Sequence, residues 1–291
     1  MPKVRILTDS VSGISGELAK EYGITIVPAA NIIYNGESYP DGVGITAAEA
    51  YELLQKDPDN FSTATLSPGY LLDIYRDITK ETNEVVFLSF SSTASAAFTV
   101  AGMAADLMKK ESPETNIKIV DSKTYAASLG LLAIAAAKAA AMGKSLDQII
   151  SLVEQARQKT GGIMLLDTLR YVYRTGRMSK TAARLASLFQ IKPINRVNKE
   201  GGFEVVGKVR KRKDGYEKLI ELIKEEADTN SLHFMVSHAN SPEVAEEFIG
   251  HLRDNFKCLS VLTTEYSPIM GYSAGPKCIF IGFHPELDFL K

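Results

Sequence analysis

Three stretches of the chain concentrate hydroxyl side chains where an aliphatic run ends or a helical pattern begins. Thr8-Asp9-Ser10 follows the first aliphatic run, and Ser62-Thr63-Ala64-Thr65-Leu66-Ser67-Pro68 precedes a helix. Ser89, Ser91, Ser92, Thr93 and Ser95 follow a third run and lead into another helix. Hydroxyls with no histidine base nearby suit hydrogen bonding to a carboxylate or phosphate better than nucleophilic attack. A helix N-terminus offers the same anion free N–H groups and a partial positive charge. Each hydroxyl alone could be a helix cap; their convergence is what points to a ligand.

Other chemistry is poorly supported. Residues 202–209, GFEVVGKV, are one residue short of a phosphate-binding loop, and Val209 stands where a metal-binding hydroxyl is required. Gly271-Tyr272-Ser273-Ala274-Gly275 has the G-x-S-x-G spacing of a nucleophile elbow. Pro276 and a strand follow it instead of a helix, so a structural turn is the expectation and a serine hydrolase or acyltransferase using Ser273 the weaker one. His233, His238, His251 and His284 lack ligand spacing, and no metal is expected. Lys208, Arg210, Lys211, Arg212 and Lys213 form one dense basic run. It reads either as a solvated strand end or as a docking patch for a phosphorylated ligand or acidic partner. Without interleaved aromatics it does not argue for nucleic acid.

The elements that must position these groups alternate through the first half: strands at 4–7, 24–29, 84–89 and 117–120, with helices between them. Thr46 with Glu49 predicts a capping box, Ser67-Pro68 an N-cap followed by a first-turn proline, and Ser145 a cap after the helix over 126–142. Strand and helix in alternation imply a parallel sheet with helical crossovers, beyond whose carboxyl edge ligands bind. Asp9-Ser10 and Asp121-Ser122 each end a strand. Gly161-Gly162 is the candidate boundary between an N-terminal α/β domain, 1–160, and a C-terminal one, 161–291. Beyond it we expect a strand at 163–166, helical pieces at 169–173 and 181–189, and a hairpin turning over 198–202. Helices at 216–226 and 242–255 and strands at 234–237, 259–264 and 279–283 complete a mixed sheet with helices on it. The 291 residues are 45% hydrophobic and 23% charged, with 33 Lys+Arg against 35 Asp+Glu, which excludes disorder and a global basic field. No apolar run suggests a membrane span or secretory leader, and a cytoplasmic location follows as an expectation. Cys258 and Cys278 sit in apolar strand-like runs and read as buried thiols.

Taken in order, several segments resemble the DegV family. Thr8-Asp9-Ser10 resembles its opening motif, and Thr63-Ala64-Thr65-Leu66-Ser67-Pro68 its TSxPSP segment with Ala64 for serine. Ser91-Ser92-Thr93-Ala94-Ser95-Ala96-Ala97 resembles SSxLSGT, with alanines for the glycine and threonine. Val120-Asp121-Ser122, YVYRTGRMS at 171–179, Ile191-Lys192-Pro193-Ile194, Lys208-Val209-Arg210 and His238-Ala239-Asn240-Ser241-Pro242-Glu243 match later family motifs. The family's late HTGPG appears as Ser273-Ala274-Gly275-Pro276-Lys277, so a serine replaces its histidine. The resemblance implies a two-domain α/β fold burying a long-chain fatty acid, with no catalytic group and no other cofactor. The protein would present the carboxylate to a fatty acid kinase. It carries the carboxylate site onto Thr63, Ser95 and Ser273, with Ser91, Ser92 and Ala96 in support, and contacts to the kinase or acyl phosphate onto Arg174, Arg177 and Arg210. Phe98, Val100, Met103 and Leu107 behind Ser95 then predict a hydrocarbon-lined tunnel. Binding of another small carboxylate or phosphate is the alternative.

Overall fold

A computed structural model describes residues 3–172, 175 and 191–290, and in it two main sheets close on one central helix. The chain begins with β1 (Val4–Asp9), α1 (Gly16–Tyr22) and β2 (Ile24–Val27). Next come β3 (Asn31–Tyr34), β4 (Glu37–Pro40), α2 (Ala47–Lys56) and β5 (Phe61–Ala64). After these follow α3 (Pro68–Thr79), β6 (Glu84–Ser89), α4 (Ala97–Glu111) and β7 (Asn116–Asp121). Strands β2-β1-β6-β7 form an all-parallel sheet in that order, as the alternation implies. The helix starts are those the residues specify: Thr46 and Glu49 complete a capping box, and Ser67 accepts the Tyr70 N–H ahead of Pro68. Strands β4-β3-β5 form a separate antiparallel sheet that our reading of the sequence lacks.

The alanine-rich α5 (Ala126–Ala141) lies between the sheets, with 14 of its 16 residues buried. A helix apolar on every side has no solvent face to present. Small residues let both sheets approach it: a Cβ on Gly130 would come within 2.6 Å of Met235 Sδ and 2.8 Å of Ser12 O. One continuous core therefore runs from Ile6 and Val86 through α5 to Met235 and Phe280. The next helix, α6 (Leu146–Gln158), starts at a capping box of Ser145 and Gln148.

The second sheet is built from β8 (Gly161–Leu165), β9 (Lys192–Val197), β10 (Phe203–Val209), β11 (Ser231–His238), β12 (Lys257–Glu265) and β13 (Ile279–Pro285). Its order is β10-β9-β8-β13-β11-β12, with β11 and β12 parallel and the other pairs antiparallel. α7 (Arg212–Glu226) and α8 (Pro242–Asn255) cover one face through Ile163, Phe234 and Ile281. The short α9 (Pro268–Ala274) precedes β13. The fold is thus α/β, a parallel N-terminal sheet and a mixed C-terminal one. Gly161 and Gly162 open β8, where Ser128 of α5 donates a 2.7 Å hydrogen bond to Gly161 O.

Some local expectations change. Residues 169–172 are bend and turn, not helix, and the helix expected at 181–189 lies outside the described residues. Helix α7 starts at Arg212, so part of the basic run forms its first turn. Gly271–Gly275 is no simple turn: its first four residues end α9, which stops where Gly275 turns left-handed at φ 78°. Both cysteines are free, but Cys258, on the edge strand β12, is only half-buried.

Candidate ligand-binding site

The hydroxyl stretches before α3 and α4 meet α9 around one cavity of about 420 Å³. Thr63 arrives on β5, Ser95 on the loop before α4, and Ser273 on the last turn of α9. Ser62, Thr65 and Tyr272 add further oxygens, while Phe90, Ile269 and Met270 supply apolar wall. Among the described lining residues there is no histidine, lysine, arginine or carboxylate. Such a wall can hydrogen-bond an anion and shelter a chain, and none of its described side chains is a base beside Ser95 or Ser273.

The loop carrying Ser95 is pinned from three directions. Asp9, ending β1, accepts the Phe90 N–H on Oδ2 at 2.7 Å. Asp121, ending β7, accepts the Ser92 N–H at 3.2 Å and the Ser92 hydroxyl at 2.6 Å. The two Asp-Ser pairs read in the sequence thus flank one loop, each at the end of a strand neighbouring β6. From the second sheet, the Gly201 carbonyl in the β9–β10 turn accepts hydroxyls from Ser91 at 2.8 Å, Thr93 at 2.5 Å and Tyr125. Gly201 has φ 85°, a conformation glycine adopts without strain.

Helix α9 is latched to the first half of the chain. Asp41 is buried and accepts hydroxyl hydrogen bonds on Oδ2 from Ser267, at the start of α9, and from Ser10, both at ordinary or short range (2.8 and 2.5 Å). Burial pushes the Asp41 carboxyl up, against those two hydrogen bonds. The Tyr51 hydroxyl donates to Tyr266 O at 2.7 Å, and Gly271 leaves room for its ring. Asp41, Tyr51 and α9 itself are absent from our sequence reading. Ser267-Pro268 repeats the Ser67-Pro68 start signal and could have revealed the helix.

The candidate residues therefore separate. Thr63, Ser95, Ala96 and Ser273 line the cavity. Ser91 and Ser92 do not; their hydroxyls are bound to Gly201 O and Asp121 and serve the loop. The Ser95 oxygen accepts the Ala97 N–H at 3.1 Å, which leaves its own proton to donate. Thr63 makes no side-chain hydrogen bond among the described residues. Ser273 gives its proton to Met270 O at 2.9 Å, so in this rotamer it can only accept. Helix α4 has Ala96 at its N-cap, so its one side-chain cap is the Ser95 oxygen on the Ala97 N–H, and Ala96 itself lines the cavity. Arg210 is exposed and away from the cavity lining, whereas Arg212 pairs with Asp167 and donates to Lys277 O at 3.0 Å. Arg174 and Arg177 lie outside the described residues.

The expected tunnel is not an open one. Behind the cavity lies a narrow apolar recess of about 10 Å³, sharing Thr65 with it and lined by Leu66, Leu71, Phe87 and Val100. Met103 and Leu107 turn outward, 52% and 38% exposed, because Ala101, Ala104 and Met108 occupy the buried face of α4. Asp9 also borders the recess, and its complete burial raises the carboxyl to about 7.

The arrangement of a parallel sheet and a mixed sheet is one that known proteins share. The sequence model of the family described as "Uncharacterised protein, DegV family" matches residues 3–286. The chain belongs to the DegV family. It is 31% identical over 287 residues to a DegV domain-containing protein of Caldanaerobacter subterraneus subsp. tengcongensis, covering 98% of this chain and 100% of the relative. Its fold is similar to that of DegV, a fatty acid binding protein from Bacillus subtilis, with a TM-score of 0.85, 23% identity and coverage of 98% and 100%. A stearic acid-binding protein from Eubacterium ventriosum gives 0.86 at 22% identity, covering 99% and 100%. Among the described residues no His/Cys/Asp/Glu group is arranged for a metal, and no helix is long and apolar enough to cross a membrane.

Proposed function

We propose that this protein binds a long-chain fatty acid in the cytoplasm and presents its carboxylate to a fatty acid kinase, with no catalytic group of its own. The observation that carries this reading is the convergence of Thr63 and Ser95 on one cavity at the start of α4. Two neutral donors and a helix N-terminus suit a carboxylate. Burying a sixteen-carbon tail contributes on the order of 12 kcal/mol before ordering costs, so the tail sets affinity and the hydroxyls set orientation. The names of the structural neighbours support the ligand class. Organic extraction of the purified protein followed by mass spectrometry tests it: a co-purifying long-chain acid is expected, and its absence together with failure to bind added acid would refute the reading.

The kinase step rests on Arg210, exposed at the end of β10. An acyl phosphate carries about two negative charges, which a guanidinium matches better than an ammonium. Arg210→Ala should leave fatty-acid affinity unchanged and slow phosphorylation by an added fatty acid kinase. Equal loss of both would place Arg210 in the binding site. Binding of a smaller carboxylate or phosphate is favoured by one observation, the near-filled recess behind the cavity. Comparing acetate, phosphate and hexadecanoate in the same titration separates the two.

A further inference from the structure

A second pocket, of about 120 Å³, takes its walls from β11, β12, β13 and α5 and shares no lining residue with the first. Between Leu232 and His233 the β11–β12 register shifts by one and skips Leu259, so Ser260 stands directly beside His233. On its other side His233 pairs with His284 of β13. Ser260, His233 and His284 thus form a row across neighbouring strands on one face of the sheet. Leu131, Ile134, Ala135 and Lys138 of α5, spaced i, i+3, i+4 and i+7, close the pocket over that row.

Both ring nitrogens of His233 are engaged: Nδ1 lies 2.8 Å from Ser260 Oγ, and Nε2 3.4 Å from Glu286 Oε2. A carboxylate only accepts, which puts the ring proton on Nε2 and leaves the Nδ1 lone pair to take the Ser260 hydroxyl. Nucleophile, base and orienting acid stand in this relation in serine hydrolases. The longer of the two contacts is of the kind that tightens when substrate binds. The His233 and Glu286 side chains are 20% and 43% exposed, so a reactant can reach them. His284, its ring centroid 5.1 Å from that of His233, is held neutral by burial, which lowers it to about 4. Ser95 and Ser273 have no such base.

We propose that Ser260 is the nucleophile of a second site, an esterase for short acyl esters, with His233 as general base and Glu286 as positioning residue. Phosphorylation of a bound fatty acid needs no group of this chain, so the activity is separate from the binding role above. Ser260 Oγ bonds to the ester carbonyl carbon and the carbon–alkoxy bond breaks. His233 Nδ1 takes the hydroxyl proton and gives it to the leaving alkoxide; water then repeats the exchange, releasing the acid and restoring Ser260. Lys138, the one lysine or arginine among the described lining residues, supplies positive charge for the oxyanion. A pocket this small, with an aliphatic wall, admits a short acyl group and not a long tail.

The test is labelling of the full chain with diisopropyl fluorophosphate, the adduct located by peptide mass spectrometry, alongside hydrolysis of p-nitrophenyl acetate. An adduct on Ser260 and a burst of nitrophenol are expected. Ser260→Ala should abolish both, and His233→Ala should slow both about a hundredfold or more. Glu286→Gln should lower kcat with KM unchanged. Absence of an adduct on Ser260, or hydrolysis that survives Ser260→Ala, would overturn the proposal. Titration with hexadecanoic acid judges the fatty-acid reading separately, and Ser260→Ala should bind that acid as the unaltered protein does. The adduct map of the unaltered protein decides even where a variant does not fold.

Discussion

A single hydroxyl decides little in a chain this rich in serine and threonine; what separates them is whether the proton is already given away. Ser91, Ser92 and Ser273 donate to Gly201 O, Asp121 and Met270 O, whereas Ser95 receives a bond and keeps its proton. Ser95→Ala should therefore weaken fatty-acid binding by about 1–3 kcal/mol in a calorimetric titration, and Ser273→Ala by much less. Asp9 is titratable within the accessible range. Its folded-state carboxyl, raised by burial from 3.8 to about 7, binds a proton more tightly than in the unfolded chain. Its contribution is thus complete below the ordinary carboxylate range and is lost as pH rises toward and past about 7. Urea unfolding at about pH 5 and pH 8 should show stability falling with pH, and Asp9→Asn should flatten that fall.

Among the elements, those with local signals were legible and those held by distant partners were not. The capping box at Thr46, the cap at Ser145, the Ser67-Pro68 start and the Asn198–Gly202 hairpin turn are short-range chemistry, and each stands where the residues predict. The β3–β4 hairpin had a comparable signal in Asn35-Gly36, whose φ values of 50° and 83° give the turn its hand, but the strands are only four residues long. Of the site, Thr63, Ser95 and Ser273 were identified through a family likeness. The latch from Asp41 to Ser267 joins residues 226 apart, which no local pattern encodes. That latch should be measurable. Tyr51→Phe removes the bond to Tyr266 O and should destabilise the protein by about 1–3 kcal/mol. If α9 forms a wall of the ligand site, it should also lower fatty-acid affinity, though Tyr51 lines no part of the cavity.

The whole molecule is organised so that neither sheet owns the site. Helix α5 fills the space between the sheets, and the cavity draws its walls from β5, the α4 loop and α9. A ligand that binds only the folded chain should stabilise it by mass action, about 2.7 kcal/mol at a hundredfold excess over Kd. Delipidated protein should accordingly melt at a lower temperature than protein re-loaded with hexadecanoic acid, and equal melting temperatures would argue against a buried ligand. The three hydroxyls on the Gly201 carbonyl carry this dependence into the order of synthesis. Ser91 leaves the ribosome 110 residues before its partner, and a nascent chain that has reached Tyr125 still lacks the carbonyl on which Ser91, Thr93 and Tyr125 converge. Competence to hold the proposed ligand should therefore arrive late, only after the hairpin of the second sheet has emerged, and a chain truncated before that point should bind no fatty acid.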